Sequence, residues 1–282
     1  MSSESRIQFM TDAYAPLEIA HRIREAGVTK ARADALTVLV LGVLAGAFIS
    51  FGALLFIFVM TGASSGFGVS RLFGGLAFSL GLVMVVVAGA ELFTGNNLVA
   101  MAWASRRITT LQLVRNWALA YVGNVAGSLG IVALVLLAGV DDFASGGVGE
   151  TAESIGAHKS SLGILQTFAL AILCNVLVCL AIWLAMGGRS VTDKVLAVVF
   201  PITAFVAMGF EHSIANWFFL PYAIALDGFD DGGLIGGAAV NLVIVTVGNI
   251  IGGSVLVAGV YWLAYLRHDR RTFTKDASRT GN

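Results

Sequence analysis

The sequence predicts an all-α integral membrane protein with six transmembrane helices arranged as two inverted three-helix repeats. Three observations lead there. The first is composition: 57% of the 282 residues are hydrophobic and only 12% charged, with 34 glycines and a mean hydropathy of +0.87, against roughly one quarter charged in soluble domains. A water-soluble globule has no way to hide that much apolar surface. The second is a set of uncharged stretches long enough to span a bilayer, and the third is a pair of polar motifs that occur twice. The 17 basic and 17 acidic residues cancel, so there is no electrostatic footprint for nucleic acid.

Taken in chain order, residues 1–34 are polar and contain no apolar run of the kind a cleavable signal peptide needs. Residues 13–33 read as an amphipathic cytoplasmic helix opened by Pro16. Leu17, Ile19, Ala20, Ile23 and Ala26 supply its apolar positions, and Arg22, Arg24 and Glu25 its wet face. Such a helix is either a plain surface element or a lid or clamp between protomers.

Between Asp34 and Arg71 lie 36 residues without a charge, and residues 116–140, 160–188 and 232–266 are equally clean. Each holds the roughly 20 residues that a spanning helix requires. The runs from Arg71 to Arg106 and from Lys194 to Asp227 are interrupted by one acid each, Glu91 and Glu211. Six crossings are therefore expected within residues 35–266, followed by a charged, disordered cytoplasmic tail over 267–282.

An even count puts both termini on one side of the membrane. With the termini in the cytoplasm, 15 of the 17 Lys and Arg residues fall inside, as the positive-inside rule demands. Only Arg71 and Lys159 fall outside, where the longer loops carry Asp141, Asp142, Glu150, Glu153, Asp227, Asp230 and Asp231. The expected location is the cytoplasmic (inner) membrane. Cys174 and Cys179 sit five residues apart on the fourth crossing, turned about 140° from each other; they cannot pair and read as small apolar fillers.

The second and fifth crossings are too long to be straight. Residues 72–105 would make a helix of about 50 Å, and 195–226 one nearly as long, against a hydrocarbon thickness of about 30 Å. The polar segments Leu92-Phe93-Thr94-Gly95-Asn96-Asn97 and Gly209-Phe210-Glu211-His212-Ser213-Ile214-Ala215-Asn216 mark the expected breaks, because irregular backbone survives at membrane depth only where protein or a watery cavity covers it. Glu91 and Asn96 recur 120 positions later as Glu211 and Asn216. Gly123-Asn124-Val125-Ala126-Gly127 recurs at nearly that offset as Gly248-Asn249-Ile250-Ile251-Gly252, giving both copies a small-xxx-small face. A three-crossing unit used twice must enter the membrane from opposite sides, the arrangement from which many transport proteins build a site at the midplane.

These segments, with Gly89-Ala90-Glu91 and Leu173-Cys174-Asn175, resemble the signature segments of the formate/nitrite transporter family over residues 13 to 267. The resemblance implies an aquaporin-like fold, a homopentamer with one pore per protomer, and conduction of a small monovalent anion: formate, nitrite or hydrosulfide. It implies His212 and Thr94 at the centre of the pore, Asn175 close by and Lys159 near the outer vestibule. It further implies an outer constriction of Phe78 and Phe205 and an inner one of Leu82, Leu92, Phe93 and Val178, with the Phe93 loop as gate. The Phe210-Glu211-His212 segment and Trp217-Phe218-Phe219-Leu220-Pro221 look closer to formate-type members, while Glu91 to Asn96 is nearer to nitrite-type ones.

Adjacent helical residues point about 100° apart, so Glu211 and His212 cannot both face one narrow pore. The repeat separates them: Glu211 has a counterpart in Glu91, whereas His212 falls opposite Leu92. The two acids are therefore expected to accept hydrogen bonds from backbone amides freed at the breaks, a proton relay being the alternative. Asn96 and Asn216 are expected to satisfy loop backbone. His212 is left for the substrate, donating a hydrogen bond to the anion and passing it a proton, since a bare anion loses most of its hydration among phenylalanine and leucine rings. No cofactor or metal set is read from the sequence. A neutral-solute channel is the rival class, and an intramembrane enzyme lacks a paired nucleophile or a His-Glu-x-x-His set.

Overall fold

The computed structural model describes residues 13–267. Arg267 aside, the tail expected over 267–282 lies outside the described residues. The regular structure among the described residues is helical. α1 (Pro16–Arg32) starts on Pro16, where no N–H is needed. It buries Ile19, Ala20, Ile23, Gly27, Val28 and Ala31, while Leu17, expected on that face, is 48% exposed. Asp34 caps α2 (Ala35–Met60) by accepting the Thr37 amide at 3.0 Å.

α3 (Phe67–Ala88) stops where Gly89 turns into the left-handed region, φ 83°, which costs glycine nothing. Helix resumes with α4 (Phe93–Asn96), a 3₁₀ turn (Asn97–Val99) and α5 (Ala100–Ala104). The interruption thus falls at residues 89–92, just ahead of the polar run. α6 (Thr110–Leu137), α7 (Gly147–Ser161) and α8 (Ile164–Gly187) follow. α9 (Val191–Ala207) ends before Gly209, φ 75°, and α10 (Ser213–Leu226) begins with His212 as its cap. α11 (Gly232–Ile250) runs on in π geometry through Ile251–Gly259 and Trp262–Leu266.

Among the described residues, five helices are long and apolar enough to cross a membrane: α2, α3, α6, α8 and the continuous segment Gly232–Leu266. α9 and α10, with 17 and 14 residues, reach only about 26 and 21 Å each and would have to act in series. The repeated glycines set the helix spacing. A Cβ on Gly127 would sit 2.0 Å from the Val43 carbonyl oxygen of α2, and one on Gly252 would sit 2.3 Å from that of Ile172 on α8. The main core lies where α2, α3, α8, α9 and α10 converge around Ile49, Leu82, Val178, Phe205 and Phe218. α1 is no separate body: its Ile19, Ala20 and Ile23 share a core with Leu98, Met101 and Trp183.

Candidate functional site

Helical structure gives way between Ala88 and Phe93 and between Ala207 and Ser213, and these two restarts meet. Thr94, on the first turn of α4, places Oγ1 3.0 Å from His212 Nε2. Both residues are buried. The other ring nitrogen, Nδ1, accepts the Ala215 amide at 3.0 Å and so caps α10. The Phe205 ring lies nearly parallel to the imidazole, centroids 5.9 Å apart, and stands edge-on to Phe78 at 5.7 Å.

A cavity opens on either side of this contact. The one on the α7 side, about 490 Å³, is lined by Arg71, Phe78, Lys159, Phe205, Glu211 and His212, among others. The one on the α1 side, about 310 Å³, is lined by Lys30, Val85, Glu91, Leu92, Gly95 and Asn96, among others. Thr94 and His212 lie between the two.

Each cavity contains an acid held by the same kind of partners. Glu211 takes Lys159 Nζ at 2.7 Å on one oxygen, and Asn216 at 2.7 Å and Asn241 at 3.2 Å on the other. Glu91 takes Lys30 Nζ at 2.6 Å and Asn96 Nδ2 at 2.6 Å, and Asn96 donates in turn to Asn116. Buried carboxyl groups demand this kind of compensation. The acids were expected to accept from freed backbone amides, and Asn96 and Asn216 to satisfy loop backbone. Side-chain ammonium and amide groups fill those roles instead, because an ammonium matches a full negative charge better than an amide does.

The backbone at each break is served by the asparagine of the Gly-Asn motif. Asn124 accepts the Phe93 amide at 2.8 Å and donates to the carbonyls of Gly42 and Glu91. Asn249 accepts the Ser213 amide at 2.9 Å and donates to Ala171 and Glu211. One side chain thus serves an amide and a carbonyl at the break that would otherwise be orphaned in an apolar interior, and bonds a carbonyl of a neighbouring helix besides.

Of the residues named from sequence, His212, Thr94, Phe78, Phe205, Lys159, Glu91, Glu211, Asn96 and Asn216 gather at or beside the two cavities. Asn175 stands behind Thr94: its Nδ2 donates to the carbonyls of Thr94 (3.3 Å) and Asn249 (2.6 Å) and to Asn97 Oδ1 (3.0 Å). It is fully buried and braces the centre through the backbone. Leu92 lines the α1-side cavity, whereas Phe93 turns edge-on to Tyr121, centroids 4.9 Å apart. Leu82 and Val178 are buried in the main core. Cys174 and Cys179 are both free, as their spacing requires. Sequence reasoning missed Lys30, Asn116 and Asn241. A signal was present, since Lys30 and Lys159 each stand five residues before the first residue of α2 and α8.

A family model described as formate/nitrite transporter matches residues 17–263. The formate channel FocA of Escherichia coli is 40% identical over 275 residues, covering 92% of this chain and 96% of the relative. The formate channel FocA of Haemophilus influenzae is 37% identical, covering 93% and 97%. Among solved structures, a pentameric formate channel with formate bound is 41% identical with a TM-score of 0.75, over 83% of this chain and 98% of the other. An FNT family ion channel, 28% identical, superimposes with a TM-score of 0.80 over 88% and 98%.

Proposed function

The chain belongs to the formate/nitrite transporter family, and on that footing we propose that it is a channel for small monovalent anions, with formate as its substrate. The observation that carries the reading is the Thr94–His212 contact between two cavities, each holding a Lys–Glu pair. The relatives named as formate channels and the pentameric neighbour support formate as substrate and a homopentamer with one pore per chain.

The topology we propose is six crossings in two inverted repeats with an aquaporin-like course: α2, α3 with α4 and α5, α6, α8, α9 with α10, and α11. Residues 1–34 and 267–282 flank that membrane domain. The distribution of 15 of 17 basic residues supports cytoplasmic termini in the inner membrane, which makes the α7 side the outer one. An anion then enters past Lys159, passes Phe78 and Phe205, meets Thr94 and His212, and leaves past Leu82, Leu92, Phe93 and Val178.

The bonding at His212 supports a part for it in this. Nδ1 is an acceptor, so the proton of the neutral ring belongs on Nε2 by the hydrogen-bond pattern. Nε2–H then donates to Thr94 Oγ1, leaving the hydroxyl proton to point at an arriving oxyanion. Passing a proton to formate requires the doubly protonated ring, and Nδ1–H can form only if the Ala215 cap lets go. Formate accepts the Nε2 proton and formic acid crosses the apolar constriction without the desolvation cost of an anion; the ring, left with Nδ1–H, recovers its cap only after Nε2 takes a proton from the cavity and Nδ1 gives one up. Protons are thus the second permeant partner.

Formate, nitrite and hydrosulfide flux into proteoliposomes across pH tests this, with His212→Asn beside the parent. We expect formate flux in the variant to fall about a hundredfold, the lower end of what a general acid–base group contributes, and its pH response to flatten. Unchanged rate and pH response would remove the proton-donor role. Uptake by the parent that ignores competing anions would favour a neutral-solute channel.

A further inference from the structure

The α7-side cavity contains a cation that the Lys–Glu pairs leave out. Arg71, near the start of α3, lines that cavity and an adjoining recess of about 350 Å³ shared with Phe56, Glu150 and Ser154. Its Nη2 donates to the Val206 carbonyl at 2.7 Å and its Nε to that of Ala207 at 3.1 Å, at the C-terminal end of α9. The guanidinium also sits over the Phe56 ring, 5.5 Å from its centroid. Gly209 makes room for it, since a Cβ there would lie 3.1 Å from Nη2.

Two features separate Arg71 from Lys159. Lys159 is neutralised by Glu211 at 2.7 Å and further covered by the Phe219 face at 5.5 Å. No carboxylate among the described residues pairs with Arg71, and its two Nη1 hydrogens have no acceptor among them. With the imidazoles neutral, the α7-side lining therefore sums to one positive charge, whereas Lys30 and Glu91 cancel on the α1-side lining. The repeat supplies no counterpart, because the position 120 residues on is Val191.

We propose that Arg71 is the docking group for the anion on the α7 side, holding the carboxylate through its free Nη1 edge before the anion moves on to His212. This rests on the anion-channel reading and adds a place of capture to it. A planar guanidinium suits the two oxygens of formate or nitrite better than an ammonium does. The Arg71 charge, with no carboxylate bonded to it among the described residues, stands where field lines are focused by low-dielectric walls, which raises local anion concentration. The two halves of the pore then differ in how they load: capture is strong from the α7 side and weak from the α1 side.

The test measures formate flux against formate concentration separately from each face, in right-side-out and inside-out membrane vesicles. For Arg71→Gln we expect the half-saturating formate concentration on the α7 side to rise about fivefold, as for loss of one charge at a half-solvated site. The value on the α1 side and the saturated rate should stay within about twofold of the parent, and Arg71→Lys should recover part of the loss. A structural role alone, capping α9, would lower thermal stability and the saturated rate without touching half-saturation on one face. Equal half-saturation in parent and Arg71→Gln overturns the proposal.

A second measurement needs no variant. Hydroxyphenylglyoxal modifies arginines, and its addition to Arg71 is read by mass spectrometry of the parent protein. Formate should slow that modification at least about threefold while formamide, neutral and of the same shape, leaves it unchanged. Equal effects of the two, or none, overturn the proposal. If the parent carried no formate while formate still protected Arg71, the channel reading would fail and the docking site would stand.

Discussion

The two halves of the chain share a core of matching bonds and differ in what they do with it. Lys30, Glu91, Asn96, Asn116 and Asn124 bond to one another and to the backbone as Lys159, Glu211, Asn216, Asn241 and Asn249 do. Even the backbone follows: Glu91 N–H donates to the Leu41 carbonyl, and Glu211 N–H to that of Leu170. The chemistry breaks the match. Leu92 in one half stands where His212 stands in the other, and Arg71 has no mate. Asn96 Oδ1 accepts from Lys30 at 3.1 Å, while Asn216 Oδ1 is buried with no partner among the described residues. The shared bonds hold the chain at the two places where helix gives way before α4 and α10, and the chemistry that the two halves do not share lies at Arg71 and His212.

The comparison is most exposed to failure at its asparagines. Asn124→Ala or Asn249→Ala removes partners from an amide and two carbonyls at once. The carbonyls of Gly42 and Ala171 keep their helical donors, so at about 1–3 kcal/mol for each buried group left unsatisfied either change should cost at least about 2 kcal/mol. We expect both variants to lose most of their folded yield, or to show a large and similar drop in thermal midpoint in detergent. If one were tolerated and the other not, the two sets of bonds would be alike in form without being alike in weight.

The lysines should show a graded effect. Lys159 and Glu211 side chains are 12% and 3% exposed, Lys30 and Glu91 side chains 33% and 11%. Breaking a buried pair costs about 3–5 kcal/mol because it strands the remaining charge. Lys159→Met should approach that range, and Lys30→Met should fall clearly below it because water reaches the stranded Glu91. Pairing each with Glu→Gln should recover part of the loss, more in the Lys159 half. A double-mutant cycle read by denaturant unfolding checks this; equal coupling in both halves would show that burial does not set the strength of the pairs.

Much of this framework was legible in the sequence, for physical reasons. Bilayer thickness turns an uncharged run into a span. An acid alone in such a run marks backbone that needs help, and a motif used twice reports a shared architecture. What the sequence withheld is which donor reaches which acceptor. Glu91 meets Lys30 across 61 residues, so the carboxylates looked available for backbone amides, and only the folded chain puts Asn124 and Asn249 there first. Asn175 is a similar case. Its motif brings it near the centre, but on a helix proximity does not fix the face, and the side chain turns to the Thr94 carbonyl from behind. His212 stood out because nothing in the other half matched it.

The smallest expected effect lies where the two halves touch. Tyr121 of α6 and Thr246 of α11 belong to corresponding helices, and their hydroxyls meet at 3.0 Å. The Tyr121 hydroxyl also accepts the Trp217 indole N–H at 2.8 Å, and its ring packs against Phe93. Tyr121→Phe keeps the ring contact with Phe93 and deletes only the hydroxyl, so packing around the first break should survive. The indole N–H and the Thr246 hydroxyl each lose a partner at half-buried positions where water can partly replace it, which sets the cost at about 1 kcal/mol. The expected result is a thermal midpoint lowered by a few degrees with formate flux near the parental rate. A large loss of flux at unchanged stability would mean instead that this hydroxyl sets the position of Phe93, and the joint between the halves would then belong to the gate as well as to the scaffold.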